Sequence, residues 1–446
     1  MNNYLIKNAK IVNEGILFIG SVEIRDGIIK KIFKKDDTIS INDITIIDAK
    51  GKYLIPGVID CHVHFREPGL VNKADMNSES IAAIAGGVTS IMDMPNTNPQ
   101  TTSYKALIEK YLLAKDKLLT NYSFYIGATN NNIDEILNIN NTEFCGIKVF
   151  MGSSTGNMLV DDENKLNILF SKSKQLIAIH SEDENIIKQN IEKYKIQFNN
   201  TIPLKYHSII RSEEACYKST SLAIELAKKN NTKLHILHIS TARELELLEN
   251  IDRNKKNITS EVCINHLYFD DSDYEKEGGF LKINPSVKTK KDKEALLNAI
   301  NSNVIDIIST DHAPHLAEEK QGDYFSISSG APSIQFSLVL MLQLYKNSIT
   351  TIENIVNKMC HAPADIYKIK NRGYIKEGYW ADLVLVDDNC EWVLKNENIL
   401  SKCKWSSFEG KTFNSKITHT FVNGVLMYDN GIINTENKGQ KLEFDN

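Results

Sequence analysis

Apolar and polar positions change their spacing twice along the chain. Over residues 1–54 the runs YLIKNAKIV, FIGSVEIRDGIIKKI and DITIIDAKGKYLI are short and rich in β-branched residues. The pairs Asp26-Gly27 and Lys50-Gly51 punctuate them, so this stretch reads as strands and tight turns. The end of the chain reads the same way. GYIKEGYWADLVLVD predicts strand, turn and strand, and THTFVNGVLMYDNG predicts a hairpin around Asn423-Gly424.

Between these ends, short apolar runs alternate with helical stretches. The runs that predict strands are 58–65, 89–95, 122–129, 146–151, 175–181, 233–240, 258–264 and 304–311. NSESIAAIAGG, SYKALIEKYLLAKDKL, STSLAIELAKKN and TARELELLEN lie between them with helical spacing. Eight strand–helix units predict an α/β fold, a (β/α)8 TIM-like barrel spanning residues 55–368. Residues 1–54 and 369–446 then pair into one small β-sandwich domain formed by both chain termini. In such a barrel the functional site lies at the C-terminal ends of the strands.

The polar residues at those ends carry the chemistry. On a strand, residues i and i+2 point the same way, so His62 and His64 of DCHVHFREPG share a side. Such a pair can ligate a metal, but alone it is as often structural. The other runs add to it: Lys148 lies in the fourth, His180 ends the fifth, His238 nearly ends the sixth, and Asp311 ends the eighth. In a barrel these side chains converge at the mouth. Imidazole and carboxylate suit zinc or a similar divalent ion. Lys148 is the odd member, because an ammonium cannot ligate a cation. Carboxylated by CO2, it would present two anionic oxygens able to bridge two metals. Two metals sharing a hydroxide supply a nucleophile at neutral pH, and Asp311 beside it fits a proton shuttle.

Composition narrows the partners. The net charge of -5 comes without a basic block, which excludes a nucleic-acid surface, and the apolar run FSLVLMLQLY is too short to span a bilayer. MNNYLIKNAK lacks the charged head and apolar core of a leader, and the seven cysteines contain no CxxC pair. The expectation is a cytoplasmic protein with reduced thiols that acts on a small molecule, with a homo-oligomer left open.

HVH at 62–64, Lys148 in GIKVFM, His180, His238 and Asp311 resemble the ligand set of the amidohydrolase superfamily. Within it, HFREPG (64–69), MPNT (94–97), INPSVK (283–288) and TDHAPH (310–315) resemble the dihydroorotases, and KEGYWADLVLVD (376–387) resembles the superfamily's return into its small β-domain. The resemblance covers nearly the whole chain. It implies His62, His64 and Asp311 on one metal and His180 and His238 on the other, both expected to be zinc. A CO2-derived carbamate on Lys148 would bridge them, with Asp311 as the acid/base. It further implies that Arg66, Asn96 and His315 grip a substrate carboxylate and that Asn284 holds the ring. The implied reaction interconverts dihydroorotate and N-carbamoyl-L-aspartate, a step of pyrimidine synthesis.

Two positions depart from the pattern. Many dihydroorotases carry Asp where this chain has Lys148, so the carbamate rests on the hydantoinase-like GIKVFM and on another dihydroorotase class. Ser286 stands where a second Pro is common. Leu316–Ala331 fits the family poorly, and none of its residues is assigned to substrate. The alternatives are a hydantoinase, dihydropyrimidinase or allantoinase, or a non-catalytic relative that uses the barrel for assembly. Arg66 and His315 discriminate the first group, since a neutral ring offers them no carboxylate. The intact ligand positions speak against the second. The remaining conspicuous residues read as structural: Glu67 in an ion pair, His207, His235, His266, His361 and His419 in packing, Cys61 in the barrel wall, and Leu222, Ala223 and Leu226 in helix packing.

Overall fold

A computed structural model of the protein describes residues 3–39, 43–152, 158–160 and 162–445. Its centre is a sheet of eight parallel strands hydrogen-bonded in chain order: Val58–Val63, Val88–Asp93, Asn121–Gly127, Gly146–Phe150, Ile177–His180, Leu234–Ile236, Ile258–Cys263 and Ile307–Ser309. Nearly every residue in them is buried. Strands covered on both faces read as continuous apolar runs, which is why all eight were visible in the sequence. The ring closes where Val63 bridges His312 and the His64 N–H donates to the His312 carbonyl at 2.7 Å. The fold is the expected (β/α)8 barrel with a terminal β-sandwich.

The longest helix, Glu213–Asn230, shows how the outer layer is set. Ser212 caps its start by accepting from the Ala215 N–H, and Asn231 ends it in the left-handed conformation at φ 53°. Ala215, Cys216, Ser219, Thr220, Ala223, Ile224 and Ala227 form the buried stripe. The expected stripe was displaced by one position: Ala223 and Leu226 pack inward, but Leu222 faces solvent.

Both chain ends build a second sheet. Its order runs Ile432–Ile433, Val425–Asp429, Lys416–Val422, Leu383–Asp387, Tyr53–Pro56, Tyr4–Asn13, Ile16–Arg25 and Ile28–Lys34, with Thr45–Asp48 also beside Tyr4–Asn13. The two ends meet where Leu54 pairs with Leu385. Asn423-Gly424 turns the predicted hairpin. The first strand predicted in GYIKEGYWADLVLVD is absent. Gly373 and Gly378 take φ of +80° and +86°, and the chain between them folds as turns, leaving a single bridge from Trp380 to Ile28.

Asp382 ties this sheet to the barrel. Its buried carboxylate accepts from Arg372, from the Asn423 N–H at 2.7 Å and from Asn121 Nδ2, on the third barrel strand, at 3.2 Å. Removing one member of a buried ion pair strands the other charge. Asp382→Ala should therefore lower the free energy of unfolding by ~3–5 kcal/mol in urea titrations. Adding Arg372→Met should restore part of that loss, whereas an unchanged Asp382→Ala protein would show that the pair does not hold the two parts together.

Candidate metal centre

The first barrel strand delivers His62 from within and His64 from just past its end. His62 Nε2 and His64 Nε2 lie 3.2 and 3.1 Å from the same Asp311 oxygen. The other nitrogen of each ring is occupied: His62 Nδ1 sits 2.6 Å from Glu261 Oε1, and His64 Nδ1 sits 2.7 Å from Asn96 Oδ1. With those oxygens accepting Nδ1–H, both rings turn a bare Nε2 towards Asp311. Donor atoms on one tetrahedral zinc ion lie about 3.3 Å apart, which matches this spacing.

A second cluster adjoins it. His180 Nδ1 faces His238 Nε2 at 3.0 Å, while His180 Nε2 lies 2.8 Å from Glu182. Arg211 pairs with that carboxylate, its Nε donating at 2.9 Å. The His62 and His238 ring centroids are 5.3 Å apart, so the clusters share one space. His62, His238 and Asp311 offer three ligand atoms within 4.8 Å of one another. The sequence places His238 near the end of the sixth strand and Asp311 at the end of the eighth, but neither lies within its strand. Each lies two residues beyond, with φ of +40° and +48° that turn the side chain inward.

Protonation suits a cation. Burial holds His64 down to about 4 and pushes His180 and His238 below the usual imidazole range. Burial pushes the Asp311 carboxyl up, but His62, His64 and Lys148 outweigh it and hold the group at about 2. Lys148 is fully buried, and burial lowers its ammonium to about 7 against the pull of Asp311 and Glu261. Among the described residues its amine has no hydrogen-bond partner; it lies 4.7 Å from the centre of the Phe150 ring. Imidazoles whose outer nitrogens are occupied, an ionised carboxylate and a buried amine whose ammonium is destabilised form a donor set that fits one or two divalent ions.

All the singled-out site residues except His315 line one cavity, together with Phe150, Ala313, Ser329 and Gly330. Arg66 is buried there. Its Nε donates to the Pro314 carbonyl at 3.0 Å, and among the described residues it forms no ion pair. The Asn284 Oδ1 is buried without a partner among the described residues. His315 stands behind the wall, with Nε2 3.0 Å from Arg66 Nη2 and Nδ1 3.1 Å from Lys73 Nζ. Segment 316–331 closes the rim. Lys320 Nζ reaches across it to the carbonyls of Lys282, Ser328 and Gly330 at 3.0, 2.7 and 2.8 Å. Gly330 has φ +143°, and a Cβ there would lie 2.6 Å from the Ala313 carbonyl oxygen, so the close approach requires glycine.

Sequence reasoning missed Glu261, Glu182, Lys73 and Lys320. The signal for Glu261 was present: an acid in the middle of ITSEVCI, a run that must be buried. The residues set aside as structural are so placed. Glu67 pairs with Lys117, and His207, His266 and His361 bond the carbonyls of Ile283, Pro285 and Gly373 at 2.9, 3.0 and 2.7 Å. All seven cysteines are free.

Residues 53–427 match the amidohydrolase family. A dihydroorotase of Methanosphaera stadtmanae is 33% identical over 98% of this chain and 99% of its own length. An allantoinase of Bacillus velezensis is 29% identical over 96% of this chain and 94% of its own. Among solved structures, an L-hydantoinase (dihydropyrimidinase) from Arthrobacter aurescens superposes with a TM-score of 0.92 at 25% identity, covering 99% of this chain and 100% of that one. With the family matched across most of its length and a whole-length relative at one-third identity, the chain belongs to the amidohydrolase family.

Proposed function

We infer that the protein is a metal-dependent cyclic-amide hydrolase whose substrate is dihydroorotate, interconverted with N-carbamoyl-L-aspartate. One observation carries the substrate: Arg66, a buried guanidinium on the cavity wall, has no carboxylate partner among the described residues. A planar fork of donors fits a planar carboxylate. The whole-length likeness to dihydroorotases supports the same reading.

His62, His64 and Asp311 would hold one ion, and His180 and His238 the other, with Lys148 as a carbamate between them. Bound there, such ions supply a hydroxide at neutral pH and polarise the carbonyl under attack. Asp311 accepts the proton of the attacking water and returns it to the ring nitrogen as the C–N bond breaks. Arg66 pairs with the ring's carboxylate, and the bare Asn284 Oδ1 accepts a ring N–H. Asn96 orients His64 through its side-chain oxygen. His315 supports Arg66 from behind.

The structural likeness to hydantoinases, and the position of His315 outside the cavity, favour a second reading. On that reading the ring is neutral, a hydantoin or a dihydropyrimidine. One comparison separates them. Hydrogen bonds to a charged group contribute ~1.5–3 kcal/mol, so Arg66→Met should cut kcat/KM for dihydroorotate ~10- to 150-fold. The loss for dihydrouracil, which lacks the carboxylate, should be small. A wild-type enzyme that prefers dihydrouracil or hydantoin, or a variant that loses both substrates equally, would establish the second reading.

Asp311→Asn removes the proton acceptor at nearly constant size, and turnover should fall at least ~100-fold. Near-normal turnover with metals still bound would remove Asp311 from proton transfer.

The centre should hold about two divalent ions per chain. Because His64 stays neutral down to about 4, protons should not displace the ions at pH 6. Release should come only below about 4, where protons begin to compete for that ring. Elemental analysis after dialysis at stepped pH measures both, and saturation at a single ion with Lys148 a free amine would eliminate the bridging carbamate.

A further inference from the structure

Beneath the cavity lies a carboxylate that the reaction does not use. Glu261 sits within the seventh barrel strand and is fully buried. Its oxygens face two other strands' residues. Oε1 lies 2.6 Å from His62 Nδ1 and 3.3 Å from the backbone N of His238, and Oε2 lies 3.3 Å from His235 Nε2. His235 is itself held, its Nδ1 2.9 Å from Thr259 Oγ1. Cys61 Sγ approaches Oε2 at 3.5 Å and Cys263 Sγ approaches Oε1 at 3.9 Å. Among the described residues no lysine or arginine pairs with Glu261; its only ion-pair partners are His62 and His235.

That setting differs from the one behind His180. Glu182 there is neutralised by Arg211. A carboxylate without such a partner is costly to bury, and its charge is directed through the His62 ring towards the centre.

We propose that Glu261 is the positioning residue of the His62 side of the metal centre. By accepting Nδ1–H it leaves Nε2 as the donor, orients the ring and makes it a stronger ligand. Oε1 also accepts the His238 backbone N–H, a contact that the neutral amide oxygen of glutamine can keep, and His235 holds the carboxylate in place. This rests on the metal reading above, and not on which cyclic amide is the substrate.

The test compares the intact wild-type enzyme with Glu261→Gln, an isosteric change that removes the charge. Both are stripped, checked by circular dichroism and titrated with zinc against a competing chelator. Outer-sphere partners of ligand histidines typically govern ~10- to 100-fold in affinity, so one zinc should weaken by that factor and the other by less than about threefold. In 15N-histidine spectra of the zinc-loaded wild type, His62 should show a downfield, slowly exchanging Nδ1–H that moves upfield in the variant. If both zinc ions weaken equally, or neither does, the proposal falls. It falls equally if a third zinc binds and is lost in Cys61→Ser, because Glu261 would then be a ligand with Cys61 and His235. Should Glu261→Gln not fold, the wild-type spectrum decides alone: His62 bound through Nδ1 overturns the proposal. The wild-type stoichiometry from the same titration tests the metal reading separately.

Discussion

Imidazole nitrogens and carboxylate oxygens at the barrel mouth are held 3.0–3.2 Å apart in a mostly buried cavity, with these donor atoms facing one another. Such an arrangement repels itself unless a cation or protons lie between the groups. The surrounding structure is organised to hold it. Glu261, Asn96 and Glu182 each take the outer nitrogen of one of these imidazoles, so the inner nitrogen is the only one left to face the centre. His238 and Asp311 adopt left-handed backbone conformations, uncommon for residues with a side chain. The closed barrel beneath makes that strain affordable, because its strands are paired on both sides and buried throughout.

The same logic extends outward to the rim. Arg66, His315 and Lys73 form a chain of cationic and donor groups leading from the cavity to Glu319, with Nζ of Lys73 2.8 Å from that carboxylate. Behind them the buried Lys320 substitutes backbone carbonyls for a counter-ion. The rim is therefore a fixed wall stapled from within, and its shape at Gly330 follows from contact with Ala313 rather than from an unconstrained loop.

The barrel was legible because burial on both faces writes itself as an apolar run. The gathering of these donors in one cavity was legible because they follow those runs at regular places. What escaped depended on neighbours distant in sequence. Glu261 and His62 are 199 residues apart, and nothing in ITSEVCI names its partner. His315 sits four residues after Asp311, but the turn through Pro314 sends it behind Arg66 instead of into the cavity. The first strand expected in GYIKEGYWADLVLVD failed because Gly373 and Gly378, both at positive φ, bracket only four residues. Leu222 shows the limit of periodicity for a helix whose inward stripe is made of small residues.

The seam between the two chain ends has a consequence for synthesis. Tyr53–Pro56 finds one neighbour at once in Tyr4–Asn13, but its other neighbour, Leu383–Asp387, is made over three hundred residues later. Until that neighbour is made, this strand of apolar side chains has an unpaired backbone edge, which is the kind of surface that recruits stray strands. The nascent chain is thus most exposed to aggregation in the interval before Leu383–Asp387 emerges, and the finished sheet acts as a clasp that fastens only after the whole barrel has been made.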